Sequence, residues 1–226
     1  MRLTIVLRDG FTALDIVGGY EVLANLPGMD VEFVAPSPGL VWADTRRLAL
    51  HAWRTYAEVD HTDILYVPGG PGVNAGLEDI ALMALIARLH ATSTWTLGVC
   101  NGVVWLGKAG VIRDKEVTTN WACRDQVAAY GARVNRKRFH RDGKLVTGAG
   151  VSASIDASLF LAGLLAGEEV ARTLQLGIEY YPEPPFGNGT PDEAPAMAQA
   201  IVRQFEADGV QRLQALQPRI PTAEAA

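Results

Sequence analysis

The chain has 226 residues, 49% hydrophobic and 20% charged, with 20 Lys+Arg against 25 Asp+Glu for a formal net charge of −5. That length suits one large domain, and the acidic balance supplies no basic field to attract nucleic acid or an anionic membrane. Two cysteines, Cys100 and Cys123, make no disulfide framework, the first residues show no signal-peptide pattern, and the four histidines have no metal-ligand spacing. The longest apolar runs fall short of the roughly 20 residues of a spanning helix. The expectation is therefore a protein of a reducing cytoplasm without a metal, acting on a small molecule.

Residues 3–7 form a continuous apolar run with β-branched members, the pattern of a strand buried on both faces of a parallel sheet. Residues 11–25 follow at helical spacing, interrupted by Gly18-Gly19, a pair that suggests close backbone approach or a helix that begins there. Asp15, on the apolar stretch Ala13-Leu14-Asp15-Ile16-Val17, is either an N-cap, the more usual role for such a residue, or an acid held in an apolar site. Residues 31–36 read as a second strand, 40–53 as short strands or a hairpin, and 63–67 as a third core strand. The last runs into Pro68-Gly69-Gly70-Pro71-Gly72, which is either an ordinary turn or a loop presenting backbone N–H groups to an anion.

A helix over 81–90 leads to the stretch around which the rest is organised, Thr96-Leu97-Gly98-Val99-Cys100-Asn101-Gly102-Val103-Val104. A β-favouring run meets a cysteine and then an apolar helical pattern, so Cys100 sits on a strand-to-helix elbow. The helix end aims N–H groups and its positive dipole end at that point, which favours a thiolate. The plainer alternative is a buried structural cysteine. Gly98 lets other groups approach, and Gly102 permits close packing of the helix. Farther on come a short strand at 116–119, a helix over 124–130 closed by Gly131, and a hairpin pairing 133–139 with 144–147. The basic run from Arg133 to Arg141 reads as a charged edge of that hairpin. Helices are expected over 154–165, 168–180 and 194–216, with a proline-stiffened segment at 181–187 and a frayed tail at 217–226. Strands alternating with helices make one α/β domain over 1–216, doubly wound, with its site at the strand C-termini.

Three motifs read together carry a family resemblance: Leu14-Asp15-Ile16-Val17-Gly18-Gly19-Tyr20-Glu21, Val67-Pro68-Gly69-Gly70-Pro71-Gly72 and Gly98-Val99-Cys100-Asn101-Gly102. Their order and strand-end placement resemble the ThiJ/PfpI superfamily, which has a flavodoxin-like fold with a nucleophile-elbow cysteine. Thr118-Thr119-Asn120-Trp121, Gly148-Ala149-Gly150-Val151-Ser152-Ala153-Ser154-Ile155-Asp156 and Gln175-Leu176-Gly177-Ile178-Glu179-Tyr180-Tyr181-Pro182 look like its isonitrile hydratase branch.

The resemblance implies that Cys100 is the nucleophile, that Asp15 is the acid beside it, and that N–H groups of Gly70 and Asn101, with Gly69, polarise the substrate. Gly18, Gly19, Thr119, Asn120, Trp121 and Ile155 would surround them, the last two as an apolar lining or as plain core. Peptidase-like members carry histidine directly after the nucleophile, and Asn101 here disfavours a Cys-His mechanism. Isonitrile hydratases tend to have threonine there and histidine at the position of Asn120.

The implied reaction adds water to an organic isonitrile through a covalent thioimidate, giving an N-substituted formamide and needing no cofactor. Burial and the neighbouring thiolate should raise the pKa of Asp15 so that it is protonated at neutral pH. Alternatives are a hydrolase or glyoxalase-like enzyme on the same cysteine, or a redox sensor or small-molecule-binding module. A homodimer is implied by the resemblance, with apolar faces at Val103-Val104-Trp105-Leu106 and Leu159-Phe160-Leu161 as candidate surfaces.

Overall fold

A computed structural model describes residues 1–215, so the expected tail at 217–226 lies outside the described residues. In chain order the strands are β1 (Arg2–Val6), β2 (Asp30–Ala35), β3 (Gly39–Trp42), β4 (Ala49–Ala52), β5 (Arg54–Thr55), β6 (Ile64–Val67), β7 (Trp95–Val99), β8 (Glu116–Val117), β9 (Arg133–Val134), β10 (Phe139–Asp142) and β11 (Leu145–Gly148). The helices are α1 (Ala13–Leu23), α2 (Gly72–Ala75), α3 (Ile80–Thr92), α4 (Gly102–Lys108), α5 (Arg124–Ala128), α6 (Ala153–Ala166), α7 (Glu168–Gly177), α8 (Ala196–Ala207) and α9 (Gly209–Ala215). None of the described helices is long and apolar enough to cross a membrane.

Seven strands form the central sheet in the order β10-β11-β7-β6-β1-β2-β5, parallel throughout except for β10 on β11. Alternate side chains on one strand face opposite layers, so each apolar run feeds two cores. Leu3, Ile5, Ile64, Tyr66, Leu97 and Val99 pack with Ile16 and Val22 of α1 and Leu161 of α6. Val6, Leu65 and Val67 pack on the other side with Leu82, Leu85 and Ile86 of α3 and Val103, Val104 and Leu106 of α4. The mostly parallel, doubly wound architecture is the one the sequence patterning calls for, and its flavodoxin-like form is the one the resemblance implies.

Gly18 and Gly19 prove to be contact points. A methyl group on Gly18 would lie 2.5 Å from the Ser154 hydroxyl of α6, and one on Gly19 would collide with the Tyr66 ring of β6. Helix α1 therefore continues through both glycines and uses them to lie close to two neighbours at once.

Four expectations are corrected. Asp15 is not the N-cap of α1, since Thr12 holds that place, with Asp15 in the first turn of the helix and fully buried. Only residues 139–142 form the expected hairpin with β11, while Arg133–Val134 pairs in parallel with β8. The chain between them is pulled away by Asn135, which bonds Glu116 through its amide and accepts from the Lys137 N–H. The final helix is broken at Asp208, because Gly209 and Leu213 turn inward against Pro71 and Gly10. Lastly, Val103 to Leu106 is core of the second layer and offers no surface to a partner.

Candidate active site

Moving outward from the middle of the sheet, the strand order reverses between β1 and β6, and at such a point the loops at the strand C-termini part to leave a crevice. The loops after β1, β6 and β7 meet there. They bring together Asp15, the Gly69-Gly70 pair and Cys100.

Cys100 adopts φ +57°, a left-handed conformation that disfavours a residue with a Cβ by about 1–2 kcal/mol. The surroundings hold it from both sides. Its N–H donates to Gly148 O at 3.0 Å, and its carbonyl accepts from the Thr119 hydroxyl at 2.7 Å. The elbow packs tightly because a methyl on Gly102 would lie 2.5 Å from the Pro68 carbonyl oxygen, and one on Gly98 would strike Leu106. At the sulfur, Asn120 donates its amide N–H to Sγ at 3.4 Å. The Asn120 Oδ1 accepts from Ala122 N–H at 2.9 Å, which assigns the nitrogen, and not the oxygen, to the sulfur.

Asp15 approaches from α1. Its Oδ2 accepts from Gly69 N–H at 2.8 Å, whereas the buried Oδ1 has no hydrogen-bond partner among the described residues. The Tyr66 hydroxyl donates to its backbone carbonyl, fixing the first turn of α1 on the sheet. Burial pushes the Asp15 pKa up to about 7, against the pull of the Gly69 N–H and of the neighbouring Cys100 thiol, with Glu206 and Asp44 adding repulsion. Burial also pushes the Cys100 thiol up, as does the Asp15 carboxylate, while the Asn120 amide and the Asn101 N–H draw it down. The low thiol pKa expected from the helix end is thus not what this enclosed site provides, because loss of water outweighs the end of the short α4. The two acids titrate as a pair, and a single proton between them can reside on either.

The Gly70 N–H, expected to face a substrate, is occupied. It donates to Asn101 Oδ1 at 2.7 Å, and Asn101 Nδ2 donates back to Gly70 O at 3.1 Å. Asn101 therefore clamps the loop after β6, and the loop's Gly69 N–H is spent on Asp15. Of the donors expected, the backbone N–H of Asn101 remains, and it draws the Cys100 thiol pKa down. Trp121 lies outside this cluster, under the Arg203 guanidinium at 4.5 Å from the ring centroid. Ile155 packs beside Gly18. Trp121 lines a different cavity, beside Pro191 and Val202. Sequence reasoning missed Tyr66, whose buried hydroxyl had to find an acceptor, and Glu206, for which the sequence carries no signal. Among the described residues no group of three His, Cys, Asp or Glu is placed to hold a metal ion.

The DJ-1/PfpI family model matches residues 1–162, the span that carries all three loops and the elbow. The chain belongs to the DJ-1/PfpI family. Among relatives, it is 39% identical over 202 residues to the isonitrile hydratase of Pseudomonas putida, covering 87% of this chain and 86% of that one. It is 23% identical over 177 residues to protein dj-1beta of Drosophila melanogaster, covering 77% and 94%. The crystal structure of a ThiJ/PfpI family protein from Pseudomonas syringae superposes with a TM-score of 0.87 at 31% identity, over 95% of this chain and 89% of that one. The DJ-1/PfpI fold therefore extends beyond the segment the family model matches.

Proposed function

We propose that this chain hydrates organic isonitriles to N-substituted formamides, with Cys100 as nucleophile and Asp15 as acid and base. The observation that carries the reading is that a buried carboxyl and a buried thiol are neighbours close enough for each to shift the other's proton affinity. In acyl transfer the nucleophile attacks carbon and the acid serves a different atom, the leaving group. An isonitrile is different, because its terminal carbon must receive both the nucleophile and a proton. A thiol and a carboxyl sharing one proton in a dry pocket suit that demand.

The reaction starts as the Cys100 thiol, whose pKa is the higher of the two, passes its proton to the Asp15 carboxylate, which leaves the proton on Asp15 and the charge on Cys100. Sγ bonds to the terminal carbon while the carbon's electron pair takes the Asp15 proton, giving R–N=CH–S–Cys and an Asp15 carboxylate. Water then adds across the C=N bond, hydroxyl to carbon and hydrogen to nitrogen. The Asp15 carboxylate removes the hydroxyl proton as the carbonyl forms and the C–S bond breaks. This releases R–NH–CHO and returns both groups to their starting states. The Asn120 amide and the Asn101 N–H stabilise the charge on sulfur as it leaves. The relative from Pseudomonas putida supports the same chemistry by name. A redox-sensing role fits less well, since a thiol 3% exposed and pushed up in pKa is a poor target for oxidants.

The functional unit we propose is a homodimer in a reducing cytoplasm. Leu14, Val17 and Tyr20 of α1 are each about 40% exposed and form one apolar stripe beside Asp15, a surface a second copy would cover. Steady-state formation of cyclohexylformamide from cyclohexyl isonitrile tests the activity, and absence of turnover at millimolar substrate sinks it. A monomeric mass by light scattering at micromolar concentration sinks the dimer.

A further inference from the structure

If the isonitrile reading holds, the substrate's carbon lies on Cys100 Sγ, and its linear C≡N axis carries the nitrogen substituent away from the sulfur. A cavity of about 240 Å³ lies beside the elbow that carries Cys100. Asn101 forms one wall through its position directly after Cys100 on the elbow. Another is Cys123, on the turn that begins at Asn120, whose amide touches the sulfur. Helix α8 closes the cavity with Arg203 and Glu206.

The lining is not the apolar one expected of a hydrocarbon substituent. Asn74 and Gln126 contribute carboxamides. Arg203 is engaged over the Trp121 ring, and Arg212, the other cation near Glu206, over the ring of Phe205. The Glu206 carboxylate is half-buried and, among the described residues, makes no hydrogen bond or ion pair, while the groups facing it from other elements, Asp44 after β3 and, when ionised, Asp15 of α1, are of its own sign. A carboxylate taken partly out of water without a partner is an unmet demand for a cationic or N–H donor group. The volume is below the range of drug-sized pockets, so the group is small.

We infer that the nitrogen substituent of the substrate occupies this cavity and that Glu206 selects substituents ending in an ammonium group. The test compares 3-aminopropyl isonitrile with cyclohexyl isonitrile in the full chain and in Glu206→Gln, which keeps the shape and removes the charge. The ratio of kcat/KM, ammonium over neutral, is expected to fall about tenfold in Glu206→Gln, mainly through KM. A second comparison needs no hydratase activity: alkylation of Cys100 by 2-bromoethylammonium against iodoacetamide, read at the Cys100 peptide by mass spectrometry. That rate ratio is expected to fall in parallel. An unchanged ratio in either comparison overturns the inference. If neither isonitrile turns over while the alkylation ratio falls, the proposed reaction is wrong and the cation-selecting cavity stands.

Discussion

Replacing Asp15 by asparagine tests the acid's role and its energetic consequence together. Burial sets its pKa at about 7 in the folded chain, against 3.8 for a free side chain. At about 1.4 kcal/mol for each tenfold change in proton affinity, that difference is about 4 kcal/mol. The folded state binds this proton more tightly than the unfolded state does. Its penalty is therefore absent below pH 4, grows as pH rises, and is complete above 7. Asparagine retains an oxygen for the Gly69 N–H and carries no charge. Asp15→Asn should thus be more stable than the parent chain by up to about 4 kcal/mol at pH 8, with the advantage vanishing near pH 4, as read from paired urea titrations. Turnover should fall about 10²- to 10⁴-fold, the usual loss when a proton donor is removed. A stability difference that is the same at pH 4 and pH 8 would refute the account of a carboxyl held against its charge, whatever happened to activity.

Cys100→Ala should fold and lose turnover, whereas Cys100→Gly should lose turnover and gain about 1 kcal/mol of stability, since glycine accepts φ +57° freely; equal stabilities in urea would deny the strain. Asn120→Ala removes the side-chain donor at 3.4 Å from Sγ, so the pH at which Cys100 alkylates should move upward, and an unmoved pH profile would show that the amide does nothing for the thiolate. Gly69→Ala places a methyl 2.7 Å from Asp15 Oδ2 and against Asn101, and kcat is expected to drop at least tenfold with the core retained by circular dichroism. His90, held down to a pKa of about 4 by burial and by Lys144 and Lys115, has the opposite linkage to Asp15: stability should decline as pH falls from 6.5 toward 4, and His90→Gln should flatten that decline in urea midpoints.

The fold was legible because its strands are short apolar runs and its elbow is a local pattern. Cys100, Asp15 and the glycine loop could each be singled out from neighbouring residues, and the family resemblance supplied their roles. What could not be read was the use each donor is put to. That Gly70 N–H is taken by the Asn101 side chain depends on a contact between the ends of β6 and β7, which no spacing encodes. The neighbouring residues left Asp15 open between a helix cap and a buried acid, because the capping preference of aspartate is local and the burial that decides for the acid comes from the sheet beneath. Glu206 was invisible because a glutamate on an amphipathic helix reads as a solvated face until the helix is seen lying across the nucleophile's neighbours.

The bonds around the nucleophile run between segments that are far apart in the chain. Gly69 holds Asp15, Asn101 holds Gly70, Thr119 holds the Cys100 carbonyl, and Gly148 receives its N–H. No nascent chain that stops before β11 contains the full set, so the enclosed thiol comes into being only when the sheet is nearly complete. Until then Cys100 is an ordinary water-exposed thiol, more open to chance modification than in the finished molecule. Its protection from reagents during synthesis or heat stress is accordingly a gauge of how much of the protein has been correctly assembled.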